Sequence, residues 1–173
     1  MKIEGKKKSF IVDWVLPLAI ALIIALLIKN FLVFQVRIPS GSMIPTLNVG
    51  DRLFVTKIYD LDKIERGDIL VFYSVELKDT LIKRVIGLPG DTIEINDGKV
   101  SVNGEEINQD YVKNTDHSYG TYKVPEGCYF FLGDNRPVSN DSRLWNNPYI
   151  DGKYIEAKAQ LKIYPFSDFG WIK

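Results

Sequence analysis

Apolar residues form one long run near the start of this chain. The run from Ile11 to Ile28 spans 18 residues and contains one charge, Asp13, and one proline, Pro17. As a helix this run is about 27 Å long, and with the apolar residues 31–34 it matches a hydrocarbon core of about 30 Å. Pro17 falls in the first turns, where a missing N–H does least damage. The pattern predicts a single transmembrane helix over residues 11–34.

Two other interpretations of this run stay open, a cleaved secretory signal and a buried helix of a soluble protein. A cleaved signal has a shorter apolar run that is closely followed by a small-x-small site. Here the first such triplet, Ser40-Gly41-Ser42, lies 12 positions beyond Ile28. The pattern favours a retained anchor.

From Gln35 onward the chain alternates between short β-prone runs and turns. The runs are rich in β-branched and aromatic residues, and Asn-Gly, Asp-Gly and Pro-Gly pairs separate many of them. They cover residues 52–58, 68–74, 81–86, 92–95, 99–102, 119–124, 128–132 and 159–164. The pattern predicts a mainly β, antiparallel domain, either a barrel or a folded pair of sheets, with hairpins such as 91–104 capping the main core.

Charge is unevenly distributed along the chain. Lysine and arginine number 22, and aspartate and glutamate also number 22, so the net charge is zero. Residues 1–10 carry four lysines and one glutamate, a net charge of +3, which leaves −3 for the remainder. The positive-inside rule then predicts a cytoplasmic tail over residues 1–10 and an extracytoplasmic domain from Gln35. The balanced total also argues against a nucleic-acid-binding protein.

Cysteine and histidine each occur once, as Cys128 and His117. One cysteine forms no intrachain disulfide, and these two residues cannot build a Cys-rich or multi-His metal site. The sequence also has no glycine-rich phosphate loop and no dinucleotide fingerprint. It therefore predicts no metal and no cofactor.

Two segments contain candidates for nucleophilic chemistry. Ser40 and Ser42 flank a glycine between two prolines, a turn suited to exposing a hydroxyl beside a free backbone N–H, although most turn serines are only polar loop residues. Lys83 shares one face of a β-prone run with Leu81 and Val85. Such a lysine is either a surface residue whose ammonium reaches water or a buried amine that is neutral enough to act as a general base.

A third segment, residues 133–143, concentrates polar chemistry. It holds two acids, two arginines and serines, more than a bare hairpin loop requires. One of its hydroxyls is a candidate for orienting the lysine amine. For most of its members, a structural network of ion pairs and turns is the alternative.

The order of these segments is informative as a set. After the apolar anchor come Ser-Met-x-Pro-Thr at 42–46, Gly-Asp-Ile-x-Val-Phe at 67–72, Lys-Arg-Val-Ile-Gly-x-Pro-Gly-Asp at 83–91 and Gly-Asp-Asn-Arg-x-x-Ser-x-Asp-Ser-Arg at 133–143. This order resembles the bacterial type I signal peptidases. The resemblance extends from the anchor to near the C-terminus, so it is far more specific than any one motif.

The resemblance implies a membrane-bound serine endopeptidase that removes signal peptides from exported preproteins through a Ser-Lys dyad and an acyl-enzyme. Ser42 is implied as the nucleophile and Lys83 as the general base. Ser40 is implied as an oxyanion donor beside the backbone N–H of Ser42, and Ser139 as the residue that holds the Lys83 amine. The implied supporting residues are Asp134, Arg84, Asp141 and Arg143.

Fold and substrate pockets are implied in the same way. The fold is mainly β, with a catalytic core shared with the self-cleaving Ser-Lys repressors over residues 35–91 and 127–173, and a small β insertion over 92–126. Shallow apolar pockets accept small side chains at substrate positions −1 and −3. Their implied walls, which ordinary core packing would also explain, are Ile38, Pro39, Met43, Leu47, Leu81 and Ile82.

Two alternative functions keep the same fold and anchor. One is a membrane-anchored β module that binds peptides without catalysis. The other is a Ser-Lys protease that cuts itself or one dedicated partner.

Overall fold

The computed structural model describes residues 11–172. Residues 1–10, for which the sequence predicts a cytoplasmic tail, lie outside the described residues. The chain divides into two compact units, one ending at Phe34 and one beginning at Gln35.

The first unit is helical. A π-helical segment (Ile11–Val15) continues directly into helix α1 (Leu16–Phe31). Large apolar side chains of this helical stretch are exposed, among them Trp14, Leu18 and Leu22. No helix within the described residues combines the length and the hydropathy that are needed to cross a bilayer.

The predicted anchor reaches residue 34, three residues beyond the end of helix α1. Helix α1 ends at Phe31 and strand β1 (Val33–Arg37) begins two residues later, so residues 33–34 are strand. The β-branched and aromatic residues of this segment, followed by alternation with polar Gln35 and Arg37, favour a half-buried strand over a further helical turn.

The second unit is mainly β, as the sequence predicts. After β1, the strands are β2 (Arg52–Lys57), β3 (Ile69–Ser74), β4 (Asp79–Gly87), β5 (Thr92–Asn96), β6 (Lys99–Val102), β7 (Glu105–Glu106), β8 (Gly120–Lys123), β9 (Cys128–Leu132), β10 (Ile150–Asp151), β11 (Ile155–Tyr164) and β12 (Gly170–Trp171). Short 3-10 helices cover Leu61–Lys63, Arg136–Val138, Gly152–Tyr154 and Phe166–Asp168. Each predicted β run overlaps one of these strands.

The strands form two antiparallel sheets. The larger sheet has the order β1-β2-β11-β3-β4-β9-β10, with β12 beside β11, and the smaller has the order β7-β6-β5-β8. All four strands of the smaller sheet come from the predicted insertion 92–126.

Strand β9 separates two apolar clusters. Phe131 packs in the first cluster, where its ring lies 4.1 Å from that of Phe72, while Phe130 and Leu132 pack in the second. Strand β4 divides in the same way, with Val85 in the first cluster and Ile86 in the second, because successive residues of a strand face opposite sides. The two strands thus form the rigid centre of the domain.

Strand β4 extends beyond its neighbour β9. Their pairing runs from Arg84 opposite Leu132 to Gly87 opposite Phe130, and the chain then leaves the sheet at Gly133. Residues 79–83 pair with β3 on one side. Within the described part of the chain, no strand covers their other side.

Candidate active site

Ser42 and Lys83 are in direct hydrogen-bond contact. Ser42 lies in the loop between β1 and β2, and Lys83 lies in β4 just before the β9 pairing begins. Lys83 Nζ donates a hydrogen bond to Ser42 Oγ over 2.6 Å. Both residues are buried, Lys83 with 4% and Ser42 with 8% of its surface exposed. A buried amine is therefore aimed at a buried hydroxyl.

Burial changes the protonation of Lys83. Its neighbours on the same face of β4, Leu81 and Val85, pack with the first apolar cluster, which keeps water away from the amine. The resulting desolvation lowers the pKa of Lys83 below its ordinary value of 10.5, and the negative charges of Asp141 and Asp134 oppose part of this effect. Of the two interpretations of this lysine, the structure favours the buried amine.

Ser40 lies beside the same hydroxyl. Its Oγ is 3.5 Å from Ser42 Oγ, and the residue is exposed. A hydroxyl at this place is available to a molecule that approaches Ser42 from solvent.

Ser139 is buried, and it makes no hydrogen bond to Lys83. It is 2% exposed, and its Oγ has no hydrogen-bond partner among residues 11–172. A β-carbon added to Gly133 would overlap the Ser139 hydroxyl and come within 2.5 Å of the Ser42 carbonyl oxygen, so both groups flank this glycine. The implied hydrogen bond between Ser139 and Lys83 is not formed in this structure, in which the amine bonds to Ser42.

Arg84 and Asp134 form a buried ion pair behind the dyad. Arg84 Nε and Nη2 donate to the two Asp134 oxygens over 2.9 and 2.7 Å, and the two side chains are 3% and 1% exposed. Thr46 donates a further hydrogen bond to Asp134 over 2.5 Å, which ties the serine loop to the pair. The Tyr111 ring lies 4.0 Å from the Arg84 guanidinium. Sequence reasoning assigned no role to Thr46, although it lies in a quoted motif, or to Tyr111, which lies in none.

Asp141 and Arg143 form a second ion pair. Arg143 Nε and Nη2 each donate to an Asp141 oxygen over 2.8 Å, and Asp141 is fully buried. Asp141 also accepts a hydrogen bond from the Gly133 N–H over 3.0 Å, so the pair fixes the start of the 133–143 loop. Asp116 of the insertion is a second carboxylate partner of Arg143.

Asn135 connects this loop to the loop that carries Ser42. Its N–H donates to the Ser42 carbonyl oxygen and its side-chain amide donates to the Gly41 carbonyl oxygen, both over 3.0 Å. Sequence reasoning missed this role, and the only signal for it is the position of Asn135 in the dense polar segment.

A groove of about 290 Å³ is lined by residues that are close in sequence to Ser42 and Lys83. Four of the six implied pocket residues line it, Ile38, Pro39, Leu81 and Ile82, together with Val36, Arg37, Val71 and Thr80. Met43 and Leu47 are fully buried and are not among its lining residues. The groove is thus walled mainly by aliphatic side chains that immediately precede Ser40 or Lys83 in sequence.

Among residues 11–172, no group of three or more histidine, cysteine, aspartate and glutamate side chains is arranged to hold a metal ion. The chemistry available at this site is that of a buried amine beside a hydroxyl. A neutral amine at hydrogen-bond distance removes the hydroxyl proton and makes the serine oxygen a nucleophile.

Comparisons with known proteins point in one direction. The family model described as signal peptidase, peptidase S26, matches residues 11–164. Signal peptidase I of Leptolyngbya laminosa is 37% identical over 177 residues, covering 96% of this chain and 86% of that protein. Signal peptidase I P of Bacillus subtilis subsp. natto is 42% identical over 166 residues, covering 86% and 89%. The crystal structure of a signal peptidase I from Enterococcus faecalis is similar, with a TM-score of 0.50 and 35% identity, over 56% of this chain and 96% of that one.

Proposed function

Because this chain belongs to the signal peptidase family, peptidase S26, a family of serine endopeptidases, we propose that Ser42 and Lys83 are the catalytic dyad with which it cleaves signal peptides from exported preproteins. The observation that carries the proposal is the 2.6 Å hydrogen bond between the buried Lys83 amine and Ser42 Oγ. Burial lowers the pKa of the Lys83 amine, which favours its neutral form, the form that has a lone pair to accept the Ser42 proton.

In the proposed reaction, Lys83 first accepts the hydroxyl proton of Ser42 and later donates it. Lys83 takes the proton of Ser42 while the serine oxygen attacks the scissile carbonyl, and it then gives the proton to the leaving amine. Lys83 then deprotonates a water, which attacks the acyl carbon of the acyl-enzyme. The bond to Ser42 Oγ breaks, and Lys83 returns the proton to that oxygen. Ser139 holds the amine once it has left Ser42. The support for this role is that the Ser139 hydroxyl is buried, has no hydrogen-bond partner among residues 11–172, and flanks the same glycine as the Ser42 carbonyl.

The negative charge on the attacked carbonyl oxygen requires donors. Ser40 Oγ, exposed and 3.5 Å from Ser42 Oγ, supplies one donor, and the backbone N–H of Ser42 supplies the other. One such donor contributes on the order of 3 kcal/mol to transition-state stabilisation. Asp134 with Arg84 and Asp141 with Arg143 are the supporting ion pairs that keep the two loops in place.

Substrate binding follows from the groove and from β4. The uncovered side of residues 79–83 is suited to pairing with an extended peptide through backbone hydrogen bonds. The groove lined by Ile38, Pro39, Leu81 and Ile82 then receives small side chains at positions −1 and −3. Met43 and Leu47 act behind this surface, since both are fully buried.

We also propose a location for the enzyme. It is a single-pass membrane protein with residues 1–10 in the cytoplasm, the anchor beginning at Ile11, and the catalytic core and its insertion outside. The support is the apolar run after a lysine-rich start and the exposed apolar side chains of α1. Its partners are the lipid bilayer and preprotein signal peptides.

The dyad is tested with Ser42→Ala and Lys83→Met in the full-length chain, assayed on a preprotein in detergent. We expect each variant to lose activity by more than about 10⁴-fold while it keeps its circular dichroism spectrum, because nucleophile and base act as a unit. The matched controls are Ser101→Ala and Lys123→Met, a serine and an exposed lysine of the smaller sheet. Wild-type activity in folded Ser42→Ala or Lys83→Met contradicts the dyad, whereas binding of the preprotein without cleavage by the wild-type chain favours a binding module. Cleavage should also survive a metal chelator.

A further inference from the structure

Besides the apolar packing of its strands on β4 and β9, the insertion makes polar and ring contacts with the catalytic core through one short segment. We call this segment, residues 111–116 between β7 and β8, the strap. Its Tyr111 packs on Arg84, its Asn114 bonds to Asn135, and its Asp116 pairs with Arg143. Each partner belongs to the network around Ser42 and Lys83, so the strap contacts this network at three points.

Asn114 is connected through Asn135 to the loop that carries Ser42. Its side-chain amide donates a hydrogen bond to Asn135 Oδ1 over 3.0 Å, and its carbonyl oxygen accepts one from the Arg136 N–H over 3.3 Å. With its oxygen held in this way, the Asn135 side chain has its NH₂ group directed at the Gly41 carbonyl. Two hydrogen bonds therefore separate Asn114 from the backbone next to Ser42.

Asp116 is connected to Lys83 through Arg143 and Asp141. The Arg143 side chain is 4% exposed. Its Nε and Nη2 donate hydrogen bonds to Asp141, and Nη2 also donates to the Arg136 carbonyl oxygen. Its Nη1 pairs with Asp116. A guanidinium that is bound on every nitrogen has one orientation. Asp141, which this guanidinium holds, is a negative charge that acts on Lys83.

We propose that the strap positions the dyad for catalysis, with Asn114 fixing the serine loop and Asp116 fixing Arg143 and, through it, Asp141. The inference rests on the proposed function and extends it to the insertion. Asn114 and Asp116 are positioning residues, since neither touches the reacting atoms.

A positioning role has a kinetic signature. Proton transfer depends on a short distance between nucleophile and base, whereas binding in the groove does not involve the strap. The charged groups around Lys83 are Asp141, Asp134 and their partners Arg143 and Arg84. Loss of the Asp116 charge leaves Arg143 with one carboxylate partner, and the added positive potential disfavours protonated Lys83.

The experiment compares Asp116→Asn and Asn114→Ala with matched controls from the same insertion. Asp97→Asn removes a carboxylate that pairs with the exposed His117, and Asn108→Ala removes an amide that bonds to Asp110. In the full-length enzyme we expect both strap variants to lower kcat by about tenfold with KM unchanged. In Asp116→Asn the acid limb of the kcat profile moves to lower pH. Asp116→Glu recovers most of the lost activity, and both controls match the wild type.

Two results would overturn the strap proposal. One is a wild-type kcat in folded Asp116→Asn and Asn114→Ala. The other is a parallel fall of kcat and melting temperature with an unchanged pH profile, which assigns the strap a purely stabilising role. If Asp116→Asn does not fold, Asn114→Ala decides by its kcat and KM. An inactive Ser42→Ala beside fully active strap variants leaves the dyad intact and removes only this inference.

Discussion

Lys83 combines two properties that have a single cause. Its burial removes water from the amine, which lowers the pKa and makes the neutral form available as a base. The same loss of hydration also lowers the free energy of unfolding, because the Lys83 ammonium is hydrated in the unfolded chain and loses that hydration on folding. Activity and stability should therefore both depend on pH through this residue.

Activity should rise with pH as Lys83 loses its proton. Below the lowered pKa of Lys83 the amine is protonated and cannot accept the Ser42 proton, and above it the base is free. We expect kcat/KM for a preprotein to reach half its maximum at a pH below 10.5, measured between pH 5 and 10. A profile that has not reached half its maximum by pH 10 would contradict the lowered pKa of Lys83.

Lys83→Met should be inactive and more stable than the wild type. Because the pKa of Lys83 is lowered by folding, the unfolded chain binds more protons between that pKa and 10.5, so wild-type stability rises with pH across this window. Methionine has no charge to desolvate. We therefore expect the free energy of unfolding of Lys83→Met to exceed that of the wild type by about 1 kcal/mol at pH 7. The difference should shrink toward pH 10. Urea unfolding measures it, with Lys123→Met as the control. A Lys83→Met chain less stable than the wild type at pH 7 contradicts this balance.

Three elements bring the proposed catalytic groups together. Strand β4 supplies Lys83, the loop after β9 supplies the ion pairs, and the loop before β2 supplies Ser42. Gly133 lies where two of these elements meet, since its α-carbon faces both the Ser139 side chain and the Ser42 carbonyl oxygen. Close approach at this point requires a residue with no side chain.

Gly133→Ala should damage catalysis by separating these elements. The added methyl group overlaps the Ser139 hydroxyl, and the backbone carbonyl of Ser42 has little room to move. We expect a loss of about 1–3 kcal/mol in the free energy of unfolding and a large fall in kcat. Gly170→Ala, whose added carbon would meet nothing within 4 Å, is the control. Equal kcat and stability in the two variants would argue against tight packing at Gly133.

Ile82→Ala should widen the range of substrates. Ile82 lines the groove, and its truncation leaves room for larger substrate side chains. We expect cleavage of preproteins with valine or leucine at −1 or −3 to rise relative to alanine, measured as a ratio of kcat/KM values. Ile58→Ala, a half-buried isoleucine outside the groove, should leave the ratio unchanged. An unchanged ratio in Ile82→Ala means that this groove does not select the substrate.

Local pattern accounts for most of the strands and less of the site. Runs of apolar, β-branched or aromatic residues between turn residues predicted strands that the structure contains, such as β6 and β9, because these signals are local. The two-residue strands β7, β10 and β12 carry no periodicity. Ser42 and Lys83 emerged from ordered motifs, whereas Tyr111, Asn114 and Asp116 lie in no motif. Their contacts join segments 20 or more residues apart, which only the folded chain brings together.

At the scale of the whole molecule, the chain consists of two compact units. The unit from Gln35 contains the proposed catalytic groups and the two apolar clusters described above. We expect a chain that begins at Gln35 to fold and to cleave a short soluble peptide, while the full-length chain sediments with membranes and resists extraction by alkaline carbonate. Loss of the fold in the shortened chain, or extraction of the full chain by carbonate, would contradict this division of roles.

The uncovered side of β4 also bears on how exported proteins evolve. Residues 79–83 offer backbone N–H and C=O groups, and every amino acid carries the complementary groups. An enzyme that binds through them sets few conditions on the identity of a leader sequence. Genes for exported proteins are then free to diverge in this region without a compensating change in the peptidase, and one such enzyme serves many unrelated cargoes.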